Sequence, residues 1–142
     1  MAYRENPFGK YSAPSAGQIG ELIQSIQGVS VNMVTVTPTN ITSVTLTPGV
    51  WNVSGSISFS NAAGTANTIT ASLNTTSATI GTIGDNAIYC NNIAGTQGSS
   101  GAIPSYRYVV ASGTTVIYLV GNLTIATGTV AAGGRISATR EG

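Results

Sequence analysis

The sequence predicts an all-β fold, an antiparallel β-sandwich or barrel that carries a short N-terminal extended arm and one short helix. Three observations carry this reading. From residue 29 onward apolar residues recur at every second position, the period of a strand with one buried face. Turn clusters, among them Pro48-Gly49, Gly84-Asp85-Asn86, Gly113 and Gly128, return at short spacing with no helical pattern between them. Thr, Ser and Asn fill 47 of the 142 positions (20 Thr, 16 Ser and 11 Asn). The β-branch of Thr favours strands and its hydroxyl keeps a surface wet without charge. The length of 142 residues suits one domain and an extension, residues 1–28 and 29–142.

Residues 1–28 hold four of the charges, Arg4, Glu5, Lys10 and Glu21, and three isolated aromatics, Tyr3, Phe8 and Tyr11. Residues 1–16 have neither period and read as an extended arm. Ile19, Leu22, Ile23 and Ile26 then follow the i, i+3, i+4, i+7 stripe of a helix, with Ser15 as N-cap and Gly28 as stop. A helix this short is not stable alone. It packs on its own β domain, along a seam with symmetry mates, or as a docking helix on a larger particle.

Trp51, Val53, Gly55, Ile57 and Phe59 alternate with Asn52, Ser54, Ser56 and Ser58, a half-buried strand. It follows Thr47-Pro48-Gly49, a turn signature, and Val44 and Leu46 alternate before that, so a hairpin is expected. A change of parity at Met33-Val34 predicts a bulge. Ile69, Ala71 and Leu73 mark another strand; Tyr106, Tyr108 and Val110 mark one entered at Pro104. The run Val116-Ile-Tyr-Leu-Val120 is apolar on both faces, as in a central strand or one covered on its second face. Gly133-Gly134 reads as a turn before a last strand from Arg135 to Thr139, and residues 91–101 read as the longest strand-free loop.

The chemistry of catalysis is thinly represented. The chain has no His, one Cys (Cys90), and acids only at Glu5, Glu21, Asp85 and Glu141, with no close pair. A non-enzymatic protein is expected, with no cofactor and no metal site. Five basic and four acidic residues give a net charge of +1, which supplies no field for nucleic acid or an anionic membrane. No apolar run spans a bilayer, and the opening Met-Ala-Tyr-Arg-Glu-Asn-Pro lacks the apolar core of a signal peptide. Tyr89, Asn91 and Asn92 are either ordinary strand-end residues or sugar contacts. Arg107 and Arg135 lie among apolar neighbours, and Arg140 follows near the end. These arginines either reach solvent or pair across a subunit boundary with Asp85, Glu141 or a chain terminus.

Three segments carry a resemblance: Thr45-Leu-Thr-Pro-Gly-Val-Trp-Asn-Val-Ser-Gly-Ser-Ile-Ser-Phe59, Thr115-Val-Ile-Tyr-Leu-Val120 and Gly134-Arg-Ile-Ser-Ala-Thr-Arg140. Together they resemble the β-domain of tailed-phage virion proteins over about residues 29–142. The resemblance implies a jelly-roll homotrimer that serves as a head fibre, a head-decoration protein or a fibre tip. A tail fibre is expected to carry a long N-terminal shaft, so the short arm directs the expectation to the capsid exterior. There the major capsid protein is the partner and Tyr3, Arg4, Phe8 and Tyr11 make the contact. Ile19, Leu22, Ile23 and Ile26 form the trimer or docking seam, and Asp85, Arg107, Arg135 and Arg140 are the candidate inter-subunit charges. The alternative is a tail-fibre or spike tip that recognises host glycan through the 91–101 loop with Tyr89 or Tyr106.

Overall fold

Alternation of apolar and polar residues organises nine strands in the computed structural model, which describes residues 14–61 and 64–142. The strands are β1 (Leu22–Asn32), β2 (Thr39–Leu46), β3 (Gly49–Asn61), β4 (Thr65–Asn74), β5 (Ala87–Cys90), β6 (Ile93–Ala94), β7 (Ser99–Val110), β8 (Thr115–Thr127) and β9 (Val130–Arg140). They make two antiparallel sheets. The first has the order β1-β9-β3-β7 and the second β2-β8-β4-β5, with β6 paired to β4. The chain changes sheet at each step from β1 to β4, and again from β6 through β9.

The inner faces enclose one core. Trp51, Val53, Ile57 and Phe59 of β3 and Ile136 of β9 meet Leu46, Ile69, Leu73, Ile117, Leu119 and Leu123 of the second sheet. Each such side chain contributes roughly 1.5–3 kcal/mol on burial. Gly121 leaves room for the Phe59 ring: a Cβ there would lie 3.2 Å from Phe59 Cε1.

The helix expected between residues 15 and 28 does not form. Gly17 and Gly20 take φ values of 82° and 87°, left-handed conformations that break a helix, and the following residues pair with β9 as β1. Ile19, Leu22, Ile23 and Ile26 therefore do not share a helical face. Ile23 packs against the core, whereas Leu22 and Ile26 point outward, 57% and 72% exposed. A helical stripe and a strand pattern coexist in this stretch, and the open ladder of β9 decides between them. β1 thus crosses the expected 28/29 boundary. Its irregularity falls at Gln27/Val31, and a turn follows Met33.

Other expectations are corrected by the pairing. β2 and β3 are not a hairpin: β2 pairs with β8, and β3 with β7 and β9. Thr47-Pro48 is the corner where the chain passes between sheets, since Leu46 and Trp51 both need the core but approach it from opposite layers. Gly133-Gly134 is no turn and lies inside β9. A Cβ at Gly133 would meet the Gly28 carbonyl carbon at 2.6 Å, and one at Gly134 would meet Leu119 Cδ2 at 2.6 Å. Close approach, not reversal, requires these glycines. Pro104 lies within β7, an edge strand at a register shift, where a missing N–H is tolerated. The 91–101 segment contains β6 and the start of β7, and Ile93 is fully buried.

β8 is central, between β2 and β4. Its second face is roofed by residues 75–86. Asn40 Nδ2 donates to Ser77 Oγ (2.7 Å) and Asn40 Oδ1 accepts from the Ala78 N–H (2.7 Å). Ser72 Oγ accepts from the Gly81 N–H (3.1 Å), and Asn86 Nδ2 donates to the Leu73 carbonyl (2.8 Å). Val120 and Ser72 are fully buried beneath this roof.

Candidate functional site

Arg140 ends β9 with its side chain directed inward, and the local sequence supplies all its partners. The guanidinium is 6% exposed and lies 4.4 Å from the Trp51 ring centroid. Its Nε donates to Glu21 Oε2 (3.0 Å), Nη1 to the Pro48 carbonyl (2.5 Å) and Nη2 to Thr47 Oγ1 (2.5 Å). Trp51 Nε1 donates to the Thr47 carbonyl (2.8 Å), closing the corner. Backbone bonds from Gly20 N to Arg140 O (2.8 Å) and from Arg140 N to Glu21 O (2.9 Å) complete the clasp. The Glu21 carboxyl is held below its ordinary range, first by the Gly17 N–H (2.6 Å) and then by Arg140, against the opposing effect of burial. The clasp fastens the 14–20 turns to the last strand and fixes where Ile19 and Leu22 emerge.

The expected charge partners resolve unevenly. Arg140 pairs within the chain, with Glu21. Arg107 lies 3.9 Å from Glu141, both well exposed, a contact screened by water. Arg135 and Asp85 form no ion pair among the described residues. Tyr3, Arg4, Phe8 and Tyr11 lie outside the described residues.

Exposed large apolar side chains are confined to particular places. Ile19, Leu22, Ile26 and Val29 follow the β1 edge; Val34 and Val36 sit in the next turn; Ile83, Tyr89, Tyr106 and Val109 line the opposite edge of β5 and β7. Strands β3, β4, β8 and β9 contribute none. At the second edge the Tyr106 and Tyr108 rings tilt together with centroids 5.0 Å apart. The Tyr108 phenol is pushed up to about 12 by burial, then by Tyr106 and the Asp85 carboxylate. Tyr89 is 66% exposed, while Asn92 is engaged in accepting the Thr68 N–H (3.2 Å). Cys90 packs beside the core, and burial pushes its thiol up.

Between these edges the first sheet presents a hydroxyl surface. Asn52, Ser54, Ser56 and Ser58 face outward as their alternation predicts, beside Ser137 and Thr139 of β9. At the β3–β7 register shift, a shallow depression of about 220 Å³ is lined by Ser54, Ser56, Ala102, Arg135 and Ser137. Among the described residues no cluster of His, Cys, Asp and Glu is suited to a metal ion. The described surface thus has two apolar edges and, between them, a face of hydroxyls and amides on which Arg107 and Arg135 are exposed. The sequence reading missed Glu21 and the Thr47 corner as partners of Arg140. The Pro48-Gly49 signature marked that corner but gave no hint of which distant residue closes it. No protein-family model matches the sequence, and no curated protein matches it.

Proposed function

We propose that this chain is a phage structural protein, a jelly roll that assembles as a homotrimer on the capsid exterior and decorates or cements the head. The observation that carries the reading is the confinement of exposed apolar side chains to the sandwich edges, beside a face clad in hydroxyls and amides. A surface of this kind favours association with other copies and with a larger particle. The strand order β1-β9-β3-β7 against β2-β8-β4-β5, with its repeated change of sheet, supports the jelly-roll assignment. In this reading Tyr3, Arg4, Phe8 and Tyr11 contact the major capsid protein. Ile19, Leu22 and Ile26 join copies, with Ile23 anchoring the strand that carries Leu22 and Ile26 and follows Ile19. Three weak contacts on one trimer multiply in effect.

The exposed Tyr89 and the tilted Tyr106–Tyr108 pair favour a second reading, a tail-fibre or spike tip that holds host glycan by ring stacking. Cosedimentation of the labelled protein with tailless heads and, in parallel, with host cells separates the two. Saturable binding to heads that is lost on removing residues 1–13 supports decoration. Binding to cells and not to heads overturns it in favour of the tip.

A further inference from the structure

We propose that copies of this chain associate head to tail, the β1 edge of one sandwich against the β5–β7 edge of the next, with Arg135 of one copy facing Asp85 of its neighbour. This deepens the reading above and rests on its claim that copies assemble.

Apolar exposure supplies the first argument. Edge strands offer unpaired backbone, and an apolar edge recruits whatever fits it unless it is covered. Here Leu22 and Ile26 stand outward on one edge strand and Val109, 70% exposed, on the other. β1 and β7 are the two ends of one four-stranded sheet, about 14 Å apart at the usual strand spacing. One contact between like edges therefore covers only one of the two groups.

Charge supplies the second. Six charged side chains occur among the described residues: Glu21, Asp85, Arg107, Arg135, Arg140 and Glu141. Arg140 and Glu21 are enclosed with each other, whereas Arg107 meets Glu141 only across an exposed contact of 3.9 Å. Arg135 and Asp85 have no ion-pair partner among the described residues and are of opposite sign; Arg135 stands on β9, one strand in from the β1 edge, on the outer face beside Ser56. Arg135 stands opposite Ile26 of β1 in the ladder. Asp85 lies just before β5, near enough to Tyr108 of β7 for its charge to act on that phenol. Twofold pairing of β1 edges brings Arg135 toward its own copy and leaves Asp85 and Val109 bare. Head-to-tail contact covers both apolar edges and matches both charges, and it forms a ring when the rotation closes.

Sedimentation velocity of the full chain over a concentration series at low salt tests this, with wild type, Asp85→Arg, Arg135→Asp and the double reversal. Each single reversal is expected to weaken association at least about tenfold, and the double to return within about threefold of wild type. Asp85→Asn and Arg135→Gln serve where a melting curve shows that a reversal unfolds the chain; each is expected to weaken association about threefold. Single variants that associate as wild type does, or a double as weak as the singles, overturn the contact while leaving assembly by another surface. A wild-type chain that stays monomeric overturns the ring, whereas binding to heads is read separately by cosedimentation. Loss of head binding with the ring intact sinks the decoration reading alone.

Discussion

Arg135 and Arg140 stand five positions apart on one uninterrupted stretch of β9, so they point to opposite faces of the same sheet. Arg140 is enclosed by Trp51, Glu21, Thr47 and Pro48, and every part of its guanidinium has a use. Arg135 is exposed at a shallow serine-lined depression and has no carboxylate beside it among the described residues. The lesson is that a strand arginine has no fixed meaning. Parity decides whether it becomes part of the fold or part of the surface, and the two outcomes call for opposite experiments.

The sharpest way to break the contrast is Arg140→Ala. It leaves the Glu21 carboxylate, 12% exposed, without its cation and removes the donors to the 47–49 corner. A loss of about 3–5 kcal/mol in folding stability is expected from a denaturant titration. A loss under about 1 kcal/mol, the range of an exposed ion pair, would show that the clasp is solvent-screened after all.

Glu21→Gln should cost less, about 1.5–3 kcal/mol, because Gln still accepts one hydrogen bond while the charge is lost. Its signature is in the pH dependence. The Gly17 N–H and Arg140 hold the folded carboxyl below its ordinary 4.5. The resulting stability is present above pH 4.5 and is lost as pH falls through the lowered folded value. Wild type should weaken on acidification through that window, and Glu21→Gln should weaken much less. Parallel pH profiles would separate Glu21 from the acid response.

How much of this was legible depends on which signal each residue sends. The β3 alternation, Trp51 to Phe59, was readable because a two-residue period and a buried face are local facts. Ile19, Leu22, Ile23 and Ile26 were not, because their spacing fits a helix, and only the free ladder of β9 favours a strand. Gly133-Gly134 looks like a turn, since sequence does not separate a glycine that reverses the chain from one that admits a neighbour. Pro48-Gly49 announced a reversal but not that its strands part into different sheets. Which strands are edges, and hence where Leu22, Ile26 and Val109 become a candidate contact surface, is a property of strand order. The clasp joins positions 21, 47, 51 and 140, too far apart along the chain for any local pattern to connect.

Trp51→Phe probes the same clasp more gently. Phe keeps most of the buried ring but loses the N–H donated to Thr47 and part of the volume beneath Arg140. About 1–2 kcal/mol should be lost, read as a shift in the unfolding midpoint. A loss exceeding that of Arg140→Ala would mean that the corner depends on the indole more than on the guanidinium.

Arg135→Ala should move monomer stability by no more than about 0.5 kcal/mol, the range for a surface change with no bonded partner. That near-silence is the informative result when it is set beside Arg140→Ala. Both substitutions delete an arginine from β9, and backbone propensity changes alike in both. The difference between them therefore measures what the inner environment adds. The same Arg135→Ala chain should show its deficit elsewhere, as weaker self-association at low salt that fades as salt screens the wild-type contact. If Arg135→Ala instead costs several times that stability while the folded chain associates as wild type does, Arg135 belongs with Arg140 as part of the fold, and the division of β9 into a structural end and a contact end fails.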